Sequence, residues 1–397
     1  MRKWLLLCMV VVVVSSTPVL AQDPTATPTT PTTVRIWWPD ALYPTAARPV
    51  IDDILGEYAQ ENGLDLRYFP YSTGNVVHRL DLTREVAPGA MPDLMLMRRD
   101  ELTRAASSGL LEPIDGWVPI STSAGMSEDI LAMGQYNQVL YGLPYMLEFQ
   151  HMLYDPTQFE ADTVTSEDIL ESHLPILFPA KPETGMVIND VLMIEYLAAG
   201  GSFVGSDGLP TLNEDAVRTV LDFFATGLEA GGFNSSLLQY TYPADYWDLI
   251  TADSVSLVES QRFWQQRTSL DSKLTVFPIL TPQGQPYLLV DGWVWVLIAQ
   301  DEGARAEAQR FISWIMATDK LVDIADALQL IPSQQRAQRV LDDPYVEALT
   351  PLLTSSALVI QSPTNEAAAA LQVAFEAVLN GGDPLEATAA ALDSLTP

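Results

Sequence analysis

Glu148 stands inside an apolar run, Tyr141–Glu160 (YGLPYMLEFQHMLYDPTQFE). An ionised carboxylate in such a setting is costly unless it is paired or lines a wet cleft. Met146, Phe149, Met152, Leu153 and Tyr154 read as a strand buried on both faces, and Asp155-Pro156 as the turn that ends it. Pro144 suits a strand start or an edge rather than a central ladder position. On this pattern alone, a core strand whose Glu148 meets an Arg is slightly favoured over one that lines a ligand cleft. Arg98 and Arg99 follow a short apolar strand, PDLMLM, and could form bidentate bonds to hydroxyls or a carboxylate. Trp37 and Trp38 point to opposite faces of their strand, so at most one of them reaches a ligand. Trp38 is next to the strand's C-terminal end, where open α/β sheets bind ligands. By the same rule Asp40, Tyr71 and Ser72 lie on loops that follow strands. Trp293 and Trp295 alternate along another strand and share a face, which is either the cleft or the core.

Catalytic patterns are sparse. The three histidines, His78, His151 and His173, show no HExxH spacing, and no GxSxG nucleophile elbow occurs. Gly200–Gly208 lacks Walker spacing and a lysine, so it reads as tight turns. A glycosidase needs only two placed carboxylates, and 51 acidic residues leave that option formally open.

The elements that must position these residues alternate between strand and helix, which predicts an α/β fold with a largely parallel sheet. Val34–Trp38 is a first strand, ended by Pro39, and Arg48–Asn62 a helix with Val50, Ile54, Leu55 and Tyr58 on one face and Gly63 as its stop. Leu64–Tyr68, Pro92–Met97, Ser254–Glu259, Leu274–Leu280 and Tyr287–Ala299 are further strands. Helices are expected over Asn75–Glu85, Val187–Ala199, Glu214–Ala230 (capped by Asn213), Ala304–Thr318, Asn365–Leu379 and Pro384–Leu395.

At 397 residues the chain is too long for one compact core, so two lobes are expected. Residues 1–21 read as a secretory signal, with Arg2 and Lys3, an apolar core Trp4–Val14 and a small-residue cleavage site ending at Ala21. Its apolar core is short for a bilayer span; a retained anchor is the alternative. The single cysteine, Cys8, lies in this leader, so the remainder holds no disulfide and no cysteine metal ligand. Residues 22–33 are a Thr/Pro tract without large apolar groups, which predicts a disordered tether. The net charge of −31 argues against nucleic acid or anionic membranes as partners.

In this order the pieces resemble the extracellular solute-binding proteins of family 1, the capture subunits of ABC importers for sugars. The resemblance rests on PDLMLM with GLLEPID, on YGLPYMLEFQHMLYDPTQFE and on AAGGSFVGSDGLPTLNEDAVRTVLDFF. VSLVESQRFW, FPILTPQGQPYLLVDGWVWVLIA, AEAQRFISWIMATD, LQLIPSQQRA and LQVAFEAVLNGGDPLEATAAALDSL extend it. It implies a two-lobed periplasmic-binding-protein-like fold of type II, with the ligand cleft between lobes joined by crossing strands. Lobe one would comprise 34–143 plus 279–328, and lobe two 144–278 plus 329–397. Glu160–Val187 departs from the family by its compression, which leaves the lobe-two rim open to difference. The resemblance implies an extracytoplasmic carbohydrate receptor that serves an ABC permease, monomeric, non-enzymatic and without cofactor or metal. Sugar binding needs flat apolar faces for the rings and polar groups for the hydroxyls. That gives the candidate set Trp38, Asp40, Tyr71, Arg98, Arg99, Glu148, Gln150, Trp264, Trp293 and Trp295. Trp264 enters because the family often has a Trp there, at even odds with a core role, and Glu148 because it aligns with a ligand-contacting carboxylate of maltodextrin-type members. A polyamine, peptide or metal-chelate binder on the same fold is the alternative, and a sensor that has lost transport a further one.

Overall fold

The computed structural model describes residues 32–395 apart from 117, 160–163, 299–300 and 361–362. The expected leader and residues 22–31 of the expected tether lie outside the described residues. The protein is mixed α/β, built on one curled sheet that runs through both lobes. Its strands succeed one another as Asp65–Tyr71, Thr33–Pro39, Leu94–Arg98, Pro286–Leu297, Gly142–Tyr154, Val255–Glu259 and Ile176–Leu177. The first three are parallel, and the two long strands in the middle are antiparallel to each other. Pro286–Leu297 pairs along its C-terminal half with Leu94–Arg98, and along its N-terminal half with the short strand Ala357–Val359. Gly142–Tyr154 likewise passes from one set of neighbours to another, ending against Val255–Glu259 and Thr275–Phe277. These two strands are the elements shared by both ends of the sheet.

Their centre is irregular for identifiable reasons. The register shifts between Trp293 and Val294, where Val294 comes to face Pro144. Pro144 is the third residue of the strand Gly142–Tyr154, close to the start that its type suggests. The bulge absorbs its missing N–H, and its carbonyl accepts a 2.7 Å bond from Ser333 Oγ. Gly292 sits directly before the bulge because a Cβ there would come within 2.2 Å of the Met146 carbonyl oxygen. The expected strand Leu274–Leu280 is interrupted at Pro278, which leaves the pieces Thr275–Phe277 and Ile279–Leu280.

Helices form where the spacing places them. Arg48–Asn62 buries Ile54, Leu55 and Tyr58 and closes on Gly63 in the left-handed conformation. Glu214–Ala230 opens on Asn213, whose side chain accepts from the Ala216 N–H. Glu302–Ile315 turns Ala308, Phe311, Ile312 and Ile315 into the core. Helices at Thr318–Leu328, Gln335–Val340 and Pro344–Ser355 complete a stretch whose periodicity had not been assigned.

Among the described residues, three apolar clusters result. One face of the sheet's first half packs Ile36, Trp38, Leu96, Trp295 and Phe311, and this cluster also takes in Tyr345, Val346 and Leu349. The opposite face holds Trp37, Met95, Met97, Val294 and Val296. A separate cluster around Phe178, Leu221, Phe224 and Phe375 is built from the helices Asp190–Ala198, Glu214–Ala230, Glu366–Leu379 and Pro384–Asp393. Among the described residues no helix is long and apolar enough to cross a membrane.

Candidate functional site

Directly opposed residues in an antiparallel ladder share a sheet face, and so do alternate residues along one strand. Asp291 faces Glu148, Gln150 faces Glu259, and Trp293 faces Arg98. Arg98, Asp291, Glu148, Gln150 and Glu259 therefore form one row across four adjacent strands, at the middle of the two long ones. The pattern in the chain is a set of polar residues at period two inside otherwise apolar strands.

Arg98 is the hub of this row. Its Nη1 donates to Glu148 Oε2 at 2.8 Å and its Nη2 to Asp291, while its Cζ lies 5.3 Å from the centre of the Trp293 ring. Burial works against the Arg98 charge, but Asp291 and Glu148 outweigh it and hold the guanidinium above its ordinary range. Glu101 fixes the backbone beneath. Buried at the start of the helix Arg99–Ser107, it accepts from the Arg98 N–H at 3.3 Å and from the Gly74 N–H at 3.1 Å. The loop after the strand Asp65–Tyr71 is thereby tied to Arg98. In that loop Ser72 Oγ donates to Asp40 at 2.9 Å.

The other end of the row opens onto a small polar pocket lined by Gln150, Lys181, Glu183, Asp190 and Thr241. Gln150 Nε2 donates to Asp190 at 2.8 Å, and its buried Oε1 has no hydrogen-bond partner. Burial, then the neighbouring Asp190 and Glu259 carboxylates, push the Glu183 carboxyl up to about 7. Burial raises Glu259 as well, against the pull of Arg262. Arg262 lies 3.5 Å from Glu259 and spans the face of Trp247, with Cζ 5.6 Å from the ring centre. Tyr242 binds Thr184, the neighbour of Glu183, through its hydroxyl.

The candidates read from sequence divide accordingly. Arg98, Glu148 and Gln150 come together, with Trp293 beneath Arg98. Asp40 is exposed on the adjoining loop pair. Five aromatic candidates need correction, because each ring is enclosed and offers no free face; Trp293 is only 2% exposed and is covered by Arg98. Trp38 is fully buried, donates to the Leu42 carbonyl at 2.7 Å and meets Trp295 edge-on. Trp295 is wedged between Trp38, Tyr145 and Phe311. Tyr71 packs on Trp37 and donates to the Leu96 carbonyl. Trp264 donates to Asp343, a carboxylate that also holds Arg267 by two 2.6 Å bonds. Arg99 is only 5% exposed and bonds Thr103, with its Nε unpartnered; desolvation lowers its pKa.

Asp291, Glu259, Glu183, Asp190, Arg262 and Trp247 were not singled out from the sequence. Asp291 alone carried a clear signal, a carboxylate in an apolar strand like Glu148. The aromatic-rich run Tyr240–Trp247 carried a weaker one.

A family profile described as bacterial extracellular solute-binding protein matches residues 53–350, well over half of the chain. The chain belongs to that family. A comparison with curated protein sequences gives no match. Among solved structures, the cyclic alpha-maltosyl-1,6-maltose binding protein of Arthrobacter globiformis superposes with a TM-score of 0.71 at 13% identity, covering 92% of this chain and 98% of that one. A cyclo/maltodextrin-binding protein complexed with maltotetraose gives 0.69 at 15% identity, covering 92% and 97%. A maltose-bound protein of T. maritima gives 0.64 at 14%, covering 92% and 99%. These likenesses establish the two-lobed fold of periplasmic binding proteins. In this solute-binding protein, the polar row thus lies on the strands that the two lobes share.

Proposed function

We propose that this solute-binding protein is an extracytoplasmic carbohydrate receptor that hands a sugar or oligosaccharide to an ABC transporter permease, without transforming it. The observation that carries the reading is the row Arg98–Asp291–Glu148–Gln150–Glu259. It sets donors and acceptors side by side on strands common to both lobes, as a polyhydroxylated ligand requires. Arg262 lies over Trp247 at one end of the row, and Trp247, partly exposed, is the ring available for stacking. The structurally similar proteins named above are described with maltodextrin-type ligands, which supports the same class. The lobes take the boundaries 34–143 plus 279–328 and 144–278 plus 329–397 in this reading. Residues 1–21 direct export, 22–33 act as a tether, and the protein works as a monomer.

A second reading has an observation of its own. Glu148, Glu183, Asp190, Glu259 and Asp291 outnumber Arg98, Lys181 and Arg262 around the site, a balance that suits a polyamine. Titrating intrinsic tryptophan fluorescence with maltooligosaccharides, mannooligosaccharides, putrescine and spermidine separates the two. Saturable quenching by a sugar, weakened in Glu148→Gln, is the expected result. Saturation by a polyamine with no response to any sugar overturns the carbohydrate reading, and release of reducing ends overturns the non-enzymatic one.

A further inference from the structure

A second cavity lies away from the polar row, inside the helical layer that covers the sheet in lobe two. It offers about 50 Å³ of open space, several times what a single water needs. Its walls are apolar, from Met152 of the long strand, Ile169 and Leu170 of the helix Ser166–Glu171, Phe178, Phe233 and Ile279. Ser166 and Phe223, also in the lining, are only partly buried, so the cavity meets the surface between the helices Ser166–Glu171 and Glu214–Ala230. Val191 is the one residue it shares with the lining of the polar pocket.

Into this apolar space projects one ionisable side chain. Glu195, on the helix Asp190–Ala198, is 3% exposed and lines the cavity, yet no hydrogen bond or ion pair holds its carboxyl among the described residues. A buried carboxyl without a partner is unfavourable by at least as much as one lost hydrogen bond. Leu or Met would fill the position at no such cost and would leave a continuous apolar wall. Desolvation raises the Glu195 carboxyl well above its ordinary range, and in its acid form the group can both give and take a hydrogen bond.

We propose that this cavity is a second ligand site, which takes a small molecule with an apolar body and a single hydroxyl or amine end, held by Glu195. The apolar body replaces empty space against Ile169, Leu170, Phe178 and Phe233. The polar end meets the one ionisable group among the residues that line the cavity. The site is independent of the solute bound at the polar row, so its test does not require that solute to be known.

Benzyl alcohol, benzylamine and toluene serve as probes, with the full chain followed by calorimetric titration and by thermal melting. The expected result is saturable binding of benzyl alcohol or benzylamine, with toluene weaker by about tenfold, the factor that corresponds to one hydrogen bond of about 1.4 kcal/mol. Preference between alcohol and amine tells whether Glu195 binds as an acid or as a carboxylate. Glu195→Leu removes the preference for the polar-ended probes and keeps toluene. Ile169→Trp, which fills the space, abolishes all three. Should Glu195→Leu fail to fold, Glu195→Gln tests the same group. No saturable binding of any probe, or unchanged affinity of the polar-ended probes in Glu195→Leu, overturns the proposal.

Discussion

Replacing Arg98 by Met tests whether the polar row is held together by that one cation. Glu148 and Asp291 stand directly opposite each other in the ladder, and each is bonded to Arg98. Opposed side chains of this kind start from Cβ atoms about 5 Å apart. Two carboxylates at about 5 Å repel by about 3 kcal/mol in an effective dielectric of about 20. The side chains are 26% and 37% exposed, so solvent screening reduces this to about 2 kcal/mol. Arg98→Met should therefore lose about 2 kcal/mol of stability at pH 7.5, read as the urea midpoint at an unchanged m-value. The loss should be pH-dependent. With no cation between them, the repulsion requires both carboxylates to be charged, so it fades as acid neutralises one of them. The variant should approach the wild type toward pH 4.5. Arg98→Met combined with Glu148→Gln should recover most of the loss at pH 7.5, whereas Glu148→Gln alone should change the ligand-free protein by under about 1 kcal/mol, since Arg98 keeps Asp291. A loss that is the same at pH 4.5 and 7.5, or that persists in the double variant, refutes the reasoning.

Four further outcomes follow from the geometry. His151 is fully buried between the Met152 carbonyl and the Tyr345 hydroxyl, and desolvation pushes it down to about 4 from an ordinary 6.5. As a base with a depressed pKa it contributes about 3 kcal/mol that is present above pH 6.5 and lost as pH falls toward 4, so His151→Phe should flatten the acid limb of urea midpoints measured across that window. Glu183 works in the opposite direction, an acid raised to about 7 whose contribution is lost as pH rises from about 4.5, so Glu183→Gln should steepen the same limb. Gly292→Ala places a Cβ 2.2 Å from the Met146 carbonyl oxygen and should cost about 3 kcal/mol by the same assay, with Trp247→Ala, by contrast, weakening solute binding about tenfold and leaving the ligand-free melting temperature within a few degrees.

Much of the fold was legible because its signals are local. Asn213, Gly63 and the inward stripe of Ala308, Phe311 and Ile312 act within one or two turns, and each marks a helix that forms where expected. The family resemblance is upheld by the matching profile and by the two-lobed superpositions. Pro144 was legible as a residue near a strand start, but the register shift opposite it was not, because that depends on a partner strand more than a hundred residues away. The bulge at Trp293 and Val294 that accommodates it cannot be inferred from the local sequence around Pro144. Pro278 shows the converse, a proline with no such compensation, which splits its strand in two.

The site was legible in its charges and misread in its aromatics, for one physical reason. Trp and Tyr are as much at home in a core as against a ligand, and the buried ones need only a single acceptor for their N–H or O–H. Trp38 finds Leu42, Tyr71 finds Leu96 and Trp264 finds Asp343, so neither residue type nor position at a strand end distinguishes them from binding residues. A carboxylate or guanidinium has no such freedom. Buried in a strand beside apolar neighbours it is costly unless it meets a counter-charge, as Glu148 and Asp291 meet Arg98 across the ladder. Glu148 therefore implied its own surroundings. Had the same test been applied to every charge in an apolar strand, Asp291 in LLVDGWVWVL would have been paired with it, and Arg98 at the end of LMLMR would have been the one cation placed to serve both.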